Sequence, residues 1–274
     1  MRTIKKVVGL GVALVATAIL AACGTAAADE ATEHVRLGVV GTNYETWAFV
    51  RDYLADEGID LEIVSFSDFV QPNQALVNGD IDLNAFQTQI FLDGFNEANG
   101  ENLTPIGLTF LAPLGIYSLE IEDVSSIQEG DQIAIPNDVT NGGRALNLLQ
   151  TAGLLTIREG AGLLPSVEDI VENPLNLDIV ELDAAQTALA LQDVRASVIN
   201  NGMAFEAGFV PSQDAIFLEP VSDESFPYFN IVAARPEEID NPVFQRIVER
   251  FQTDEIIQIA YELNQGSSIP VWLE

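Results

Sequence analysis

At 274 residues, 48% of them hydrophobic and 19% charged, the chain can bury one large core or two smaller ones. Lys and Arg number 11 against 42 Asp and Glu, a formal charge of −31. A surface of that sign repels the phosphates of nucleic acids and anionic lipids, so nucleic-acid recognition is excluded as a class.

The first 22 residues read as an address. Arg2, Lys5 and Lys6 make a positive start, and 7–22 is an apolar run of small residues. The run ends in Leu20-Ala21-Ala22-Cys23-Gly24, which resembles the lipobox of bacterial lipoproteins, where the cysteine is lipidated and becomes the new N-terminus. The expectation is a signal peptide over 1–22, lipidation of Cys23 and a small, acidic tether over 23–34. No later apolar segment is long enough to span a bilayer, so the body should sit on the extracytoplasmic face of the cell membrane, held by lipid. Without Arg2, Lys5 and Lys6, eight basic residues, all arginine, stand against 42 acidic ones, a charge of −34. Each arginine that remains is informative for that reason.

Val35–Val40 alternates and then runs apolar, as a core strand does, and Gly41-Thr42-Asn43 follows as a turn. Glu45–Ala55 places Trp47, Val50 and Leu54 at helical spacing. Leu61–Phe66 predicts a second strand, and Phe69–Leu76 a helix with Pro72 tolerated in its first turn. Ile81–Phe86 reads as a strand and Ile90–Phe95 as a helix. Strands alternating with helices predict a mostly parallel sheet. Thr109–Ser118 is extended and apolar, and Pro113 and Gly115 suit a crossover. A second α/β run follows: strand 132–135, helix 143–152, helix 166–171, strand 177–181, helix 184–191, strand 195–200. The pattern near 216–234 repeats the crossover and ends in the strand Tyr228–Ala234, and Pro242–Leu263 is helical. The fold class is therefore α/β, with two lobes joined by two extended crossovers. Lobe 1 is expected over 35–112 plus 231–274 and lobe 2 over 113–230, closing by a hinge on a small ligand.

The stretch Ile133–Leu149, IAIPNDVTNGGRALNLL, carries the most chemistry. A short buried strand ends at Pro136, a polar loop over 137–143 follows, and Arg144 stands at the expected helix start. A guanidinium there, with free helical N–H groups, can receive a carboxylate. A bidentate grip would make Arg144→Ala weaken binding by about two orders of magnitude or more. Asn137, Asn141, Asn200 and Asn230 fall beside strand ends, where open α/β sheets place ligands, and an amide oxygen there can accept from an ammonium. Phe69, Phe86 and Tyr117 offer an aromatic slot, although each alone fits a core role equally well. Together these groups describe a free α-amino acid with an apolar side chain.

Enzymatic groups are scarce. Cys23 is the only cysteine and His34 the only histidine, expected to be exposed and idle. No P-loop, G-x-S-x-G elbow or His/Cys metal cluster is present, so neither cofactor nor metal is expected. Asp80 and Asp82 can be drawn as an acid/base pair but read better as a turn entering a strand.

The runs FSDFVQPNQALVNGDIDLNAFQ (66–87), APLGIYS (112–118), IAIPNDVTNGGRALNLL (133–149), DIVENP (169–174), VIN (198–200) and PYFN (227–230) together resemble the methionine-binding lipoproteins of bacterial ABC importers. The resemblance covers 35–272 and implies a type II periplasmic-binding-protein fold. It implies an amino-acid ligand, L-methionine first, with its carboxylate on Arg144 and its amino group on Asn200 and Asn230. Phe69 and Phe86 would line the side-chain slot, with Gln87 and Thr88 beside it. The implied partners are a membrane permease and a cytoplasmic ATPase. In the family the residue after NAFQ is usually histidine; Thr88 stands there. That substitution leaves D-methionine, another apolar amino acid or a short methionine-containing peptide open as ligands. An enzyme or a surface adhesin on the same scaffold is the competing reading.

Overall fold

Alternating strands and helices give parallel pairs here because every parallel pair needs a long crossover between its strands. The computed structural model describes residues 32–41 and 44–273. It opens with β1 (Glu33–Val40), α1 (Glu45–Ala55), β2 (Ile59–Phe66), α2 (Gln71–Asn78), β3 (Leu83–Asn84) and α3 (Gln89–Asn99). The middle comprises β4 (Thr104–Leu111), β5 (Gly115–Tyr117), β6 (Gln132–Pro136), α4 (Val139–Thr151), β7 (Thr156–Ile157), β8 (Ile170–Glu172), β9 (Asp178–Leu182) and β10 (Ala196–Ile199). The chain ends with α5 (Asn201–Glu206), α6 (Pro211–Asp214), β11 (Phe217–Leu218), β12 (Phe229–Ala234), α7 (Pro242–Phe251), α8 (Asp254–Asn264) and β13 (Ile269–Pro270).

Two principal sheets result. One has the order β13-β4-β12-β3-β1-β2 and the other β11-β5-β10-β6-β9. In the first, β1 pairs in parallel with β2 and β3, and α1 buries Trp47, Val50 and Leu54 against it, as the spacing predicts. In the second, β6 pairs in parallel with β9 and β10. The other pairs, β3–β12, β4–β12, β4–β13, β5–β10 and β5–β11, are antiparallel, so both sheets are mixed and not mostly parallel as expected: β4, β5 and β12 are joined by the extended crossovers and not by helical ones. Each sheet has its own core, around Leu37, Leu54, Ile247 and Phe251 in one and around Ile133, Ile135, Leu149 and Val198 in the other. The chain leaves the first sheet at Leu111, enters the second at Gly115, and returns between Leu218 and Phe229. These are the two predicted crossovers.

Several local expectations need correction. β1 begins at Glu33 and pairs Glu33 and His34 with Ile59 and Asp60, so the end of the expected tether is strand. His34 is exposed but not idle: its ring nitrogens lie 2.9 Å from Asp60 Oδ2 and 3.2 Å from Glu62 Oε2. The helix expected over 166–171 is one 3-10 turn followed by β8, because Ser166 and Asp169 bond each other's backbone and side chains and close it off. That expected over 184–191 is likewise two short turns, the first capped by Asp183. The C-terminal helix is broken at Thr253, whose hydroxyl starts α8 by accepting from Ile256 N–H. Asp80 and Asp82 do lie in the turn that enters β3, as expected. Asp82 takes a two-pronged ion pair from Arg36, while Asp80 contributes only its carbonyl to that arginine.

The signal peptide over 1–22, Cys23 and the turn residues Thr42 and Asn43 lie outside the described residues. Among the described residues no helix is long and apolar enough to cross a membrane.

Candidate functional site

A cavity of about 220 Å³ is lined from the first sheet by the ends of β1 and β4, the segment after β3, and β12, and from the side of the second sheet by α4, Asn200 just past β10, and α5. It collects Phe69, Phe86, Gln87, Thr88, Asn141, Arg144, Asn200 and Asn230 of the expected ligand set. Two members do not reach it. Tyr117 is fully buried among Ile199, Met203 and Phe209, where desolvation pushes its hydroxyl's pKa up. Asn137 is exposed just past β6, outside the lining.

Arg144 does not stand at a helix start. α4 begins at Val139, so Asn141–Gly143 are helical and Arg144 is the sixth residue. The glycines that suggested a loop serve close packing instead. A Cβ on Gly142 would meet Pro136 O at 2.7 Å, and one on Gly143 would meet Leu164 Cα at 2.8 Å. The helix N-terminus is also already occupied: Asp138 caps it, accepting from Asn141 N–H at 2.9 Å. A ligand carboxylate therefore has no vacant N–H cradle in that first turn.

The guanidinium is 4% exposed, and its fork is taken. Nε donates to Glu219 Oε1 at 2.8 Å and Nη2 to Glu219 Oε2 at 2.5 Å; Nη2 also reaches Ala112 O at 3.2 Å. The Tyr228 ring lies 4.3 Å away, in cation–π contact. Ala112 is on the outgoing crossover, and Glu219 and Tyr228 are on the returning one, so Arg144 fastens both connections to α4. Only the Nη1 hydrogens take part in none of these bonds. The bidentate grip expected for a ligand is made with Glu219, and a ligand carboxylate can meet Nη1 alone. Glu219 was missed at the sequence level; its one signal was the scarcity of arginine, since a buried guanidinium requires a carboxylate.

The amides are wired in series. Asn141 Nδ2 donates to both Asp138 oxygens, at 3.1 and 3.0 Å, and its Oδ1 accepts from Asn200 Nδ2 at 2.8 Å. Asn200 Oδ1 is buried and has no partner among the described residues. An orphaned acceptor of that kind costs about 1–3 kcal/mol, so a donor is the missing half of the contact. Burial pushes the Asp138 carboxyl up despite the hydrogen bonds it accepts from Asn141.

Gln87 behaves otherwise than expected. Its side chain turns into a closed triad, exchanging bonds with Asn73 at 2.7 Å each way and donating to Asn84 at 2.9 Å. Asn84 completes the ring by donating to Asn73 at 2.9 Å. The triad uses both donors of its amide; Gln87 frames the wall. Thr88 caps α3 through Phe91 N–H and bridges to Asn230. That cap places Phe91, which sequence reading passed over, against Phe69 and Phe86. The three ring centroids lie 5.9–6.3 Å apart in stacked and edge-on pairs and make an apolar box at the cavity.

The family model described as NlpA lipoprotein matches residues 35–272. The chain belongs to the NlpA lipoprotein family. Its similarity to the D-methionine-binding lipoprotein MetQ of Yersinia pestis is 39% identity over 95% of this chain and 96% of the relative. Among solved structures, protein PG110 from Staphylococcus aureus is 44% identical with a TM-score of 0.86, covering 88% of this chain and 95% of that one. A nutrient-binding protein from Burkholderia cenocepacia bound to methionine is 37% identical with a TM-score of 0.83, covering 87% and 100%. This NlpA lipoprotein thus has the two-lobed periplasmic-binding fold that the resemblance implied, with one principal sheet to each lobe.

Proposed function

We propose that this chain is a substrate-binding lipoprotein of an ABC importer, not an enzyme, that it takes a free amino acid, L-methionine first, and that it delivers the ligand to a membrane permease driven by a cytoplasmic ATPase. The observation that carries the reading is the partnerless Asn200 Oδ1, set in the same cavity as the uncommitted Nη1 edge of Arg144 and the box of Phe69, Phe86 and Phe91. An acceptor suits an ammonium, a guanidinium edge suits a carboxylate, and aromatic faces suit a thioether. Asn230, on β12 beside Thr88, is a second amide for the amino group. At about 220 Å³ the cavity is smaller than the roughly 300–1,000 Å³ of drug-sized sites, which favours one amino acid over a peptide. Residues 35–112 with 231–274, and residues 113–230, close as two bodies around the ligand. Lipidation of Cys23 would hold the protein at the extracytoplasmic membrane face.

The relatives named for D-methionine and the Burkholderia structure bound to methionine support this ligand class, and the first also supports D-methionine as an alternative. Calorimetry with L-methionine, D-methionine and norleucine, beside native mass spectrometry of protein purified from cells, tests the reading. Saturable one-to-one binding of methionine is expected. No heat with any of the three, and a co-purified ligand that is not an amino acid, would refute it.

A further inference from the structure

The series of amides at the cavity has a direction. A carboxylate can only accept hydrogen bonds, whereas a primary amide has one accepting and one donating end. Asp138 lies at the closed end, with both oxygens receiving Asn141 Nδ2. Asn141 must therefore turn its oxygen the other way, and Asn200 must answer it with Nδ2. What remains for the cavity is Asn200 Oδ1, buried and unpartnered among the described residues. Reversing Asn141 would set its oxygen against the carboxylate and N–H against N–H, and reversing Asn200 would set oxygen against oxygen, inside a buried site, which the geometry does not tolerate.

We propose that Asp138, which does not line the cavity, is a positioning residue for ligand choice: through Asn141 it dictates that Asn200 offers an acceptor, and so selects a ligand carrying a donor, the ammonium of an amino acid. This rests on the amino-acid reading above and extends it to a residue one hydrogen bond removed from the lining. Capping α4 does not require a charge, since Asn, Ser or Thr caps a helix as well as Asp does. The relay does require one, because only a group without donors forces both amides. Asp138 is also well placed to polarise the series, being a largely buried carboxylate at its end.

The variant that separates the two roles is Asp138→Asn. It keeps the cap and the shape but supplies an Nδ2 that lets Asn141, and then Asn200, turn over. The probes are L-methionine and its desamino analogue 4-(methylthio)butanoate, measured by calorimetry on wild type and D138N. The wild type should prefer the amino acid, and the preference should fall about tenfold in D138N, the scale of one hydrogen bond to a charged group. A purely structural cap would weaken both ligands alike or neither. Asn141→Ala, which cuts the series at its middle, should lose the same preference, and D138N added to it should change nothing more. An unchanged preference in D138N overturns the relay.

Neutron diffraction of the ligand-free protein exchanged into D2O decides the polarity without any ligand. Deuterons on the Asn141 atom facing Asp138 and on the Asn200 atom facing Asn141 are expected. Deuterons on the Asn200 atom facing the cavity would overturn the relay. If wild type binds neither probe, the amino-acid reading fails while the neutron result still decides the relay.

Discussion

Arg144→Ala removes one half of a buried pair, and its consequences can be worked out from the contacts. Glu219, 17% exposed at its side chain, would keep only the Leu114 N–H at 3.0 Å. Breaking a buried pair from one side costs about 3–5 kcal/mol, and the surviving backbone donor and residual water place this case near 3. Loss of the Tyr228 contact adds roughly 0.5–1 kcal/mol. The sum, about 3–4 kcal/mol, is a large part of the 5–15 kcal/mol typical of a domain, so the variant folds with a much reduced margin. Replacing both partners, as Arg144→Leu with Glu219→Leu, leaves no stranded charge and should cost about 1 kcal/mol or less. Ligand affinity should fall in both variants by about ten- to a hundredfold, because only the Nη1 edge is available to the ligand and one charge-assisted hydrogen bond is worth about 1.5–3 kcal/mol. Urea unfolding followed by circular dichroism, with calorimetry on the folded fraction, measures both quantities. An unchanged unfolding midpoint in Arg144→Ala, or a double variant less stable than the single one, would refute the reasoning.

Gly143→Ala should lower stability by about 1–3 kcal/mol in thermal or urea unfolding, since its Cβ would press on Leu164 Cα and Leu163 O, which are backbone atoms with little room to yield. Phe91→Ala should weaken methionine binding more than Val70→Ala, a change at an exposed site outside the cavity, because it opens the three-ring box; equal affinities would remove the box from the ligand site. Burial raises the Asp82 carboxyl, but bonds from the Arg36 side chain and N–H outweigh it and hold the pKa below the usual carboxylate value. A depressed folded pKa means that the stabilisation is present above the unfolded value, roughly 4, and is lost as pH falls through the folded one. The stability gap between wild type and Asp82→Asn should therefore stay constant from about pH 7 to 5 and shrink below about 4.

Periodicity was sufficient to find α1, because burial on one face leaves a repeat of fixed spacing that can be read without neighbours, while short apolar runs bounded by proline or glycine marked β6 and the first crossover. The same reading failed where short polar side chains close the backbone locally: Ser166 with Asp169, Asp183, and Thr253 each end or start an element within one turn. It failed again at Gly142 and Gly143. These positions look like loop in sequence, yet they are helix, because the carbonyl of Pro136 and the backbone at 163–164 leave no space for a side chain. α5 and β13 are so short that their neighbours alone sustain them.

By itself the sequence determined the α/β class and the family, and eight of the ten residues it singled out for the site do line the cavity, for these follow from hydrophobic spacing and from motifs that run unbroken over many residues. Only the tertiary structure decided how those side chains are employed. Arg144 and Glu219 are 75 positions apart, and Asn141 and Asn200 are 59 apart, so no local pattern announces either partnership. Which N–H an arginine has left, and which end an amide presents, depend on what else is buried within hydrogen-bonding distance. That is a property of the packed chain, where each donor must find its acceptor away from water.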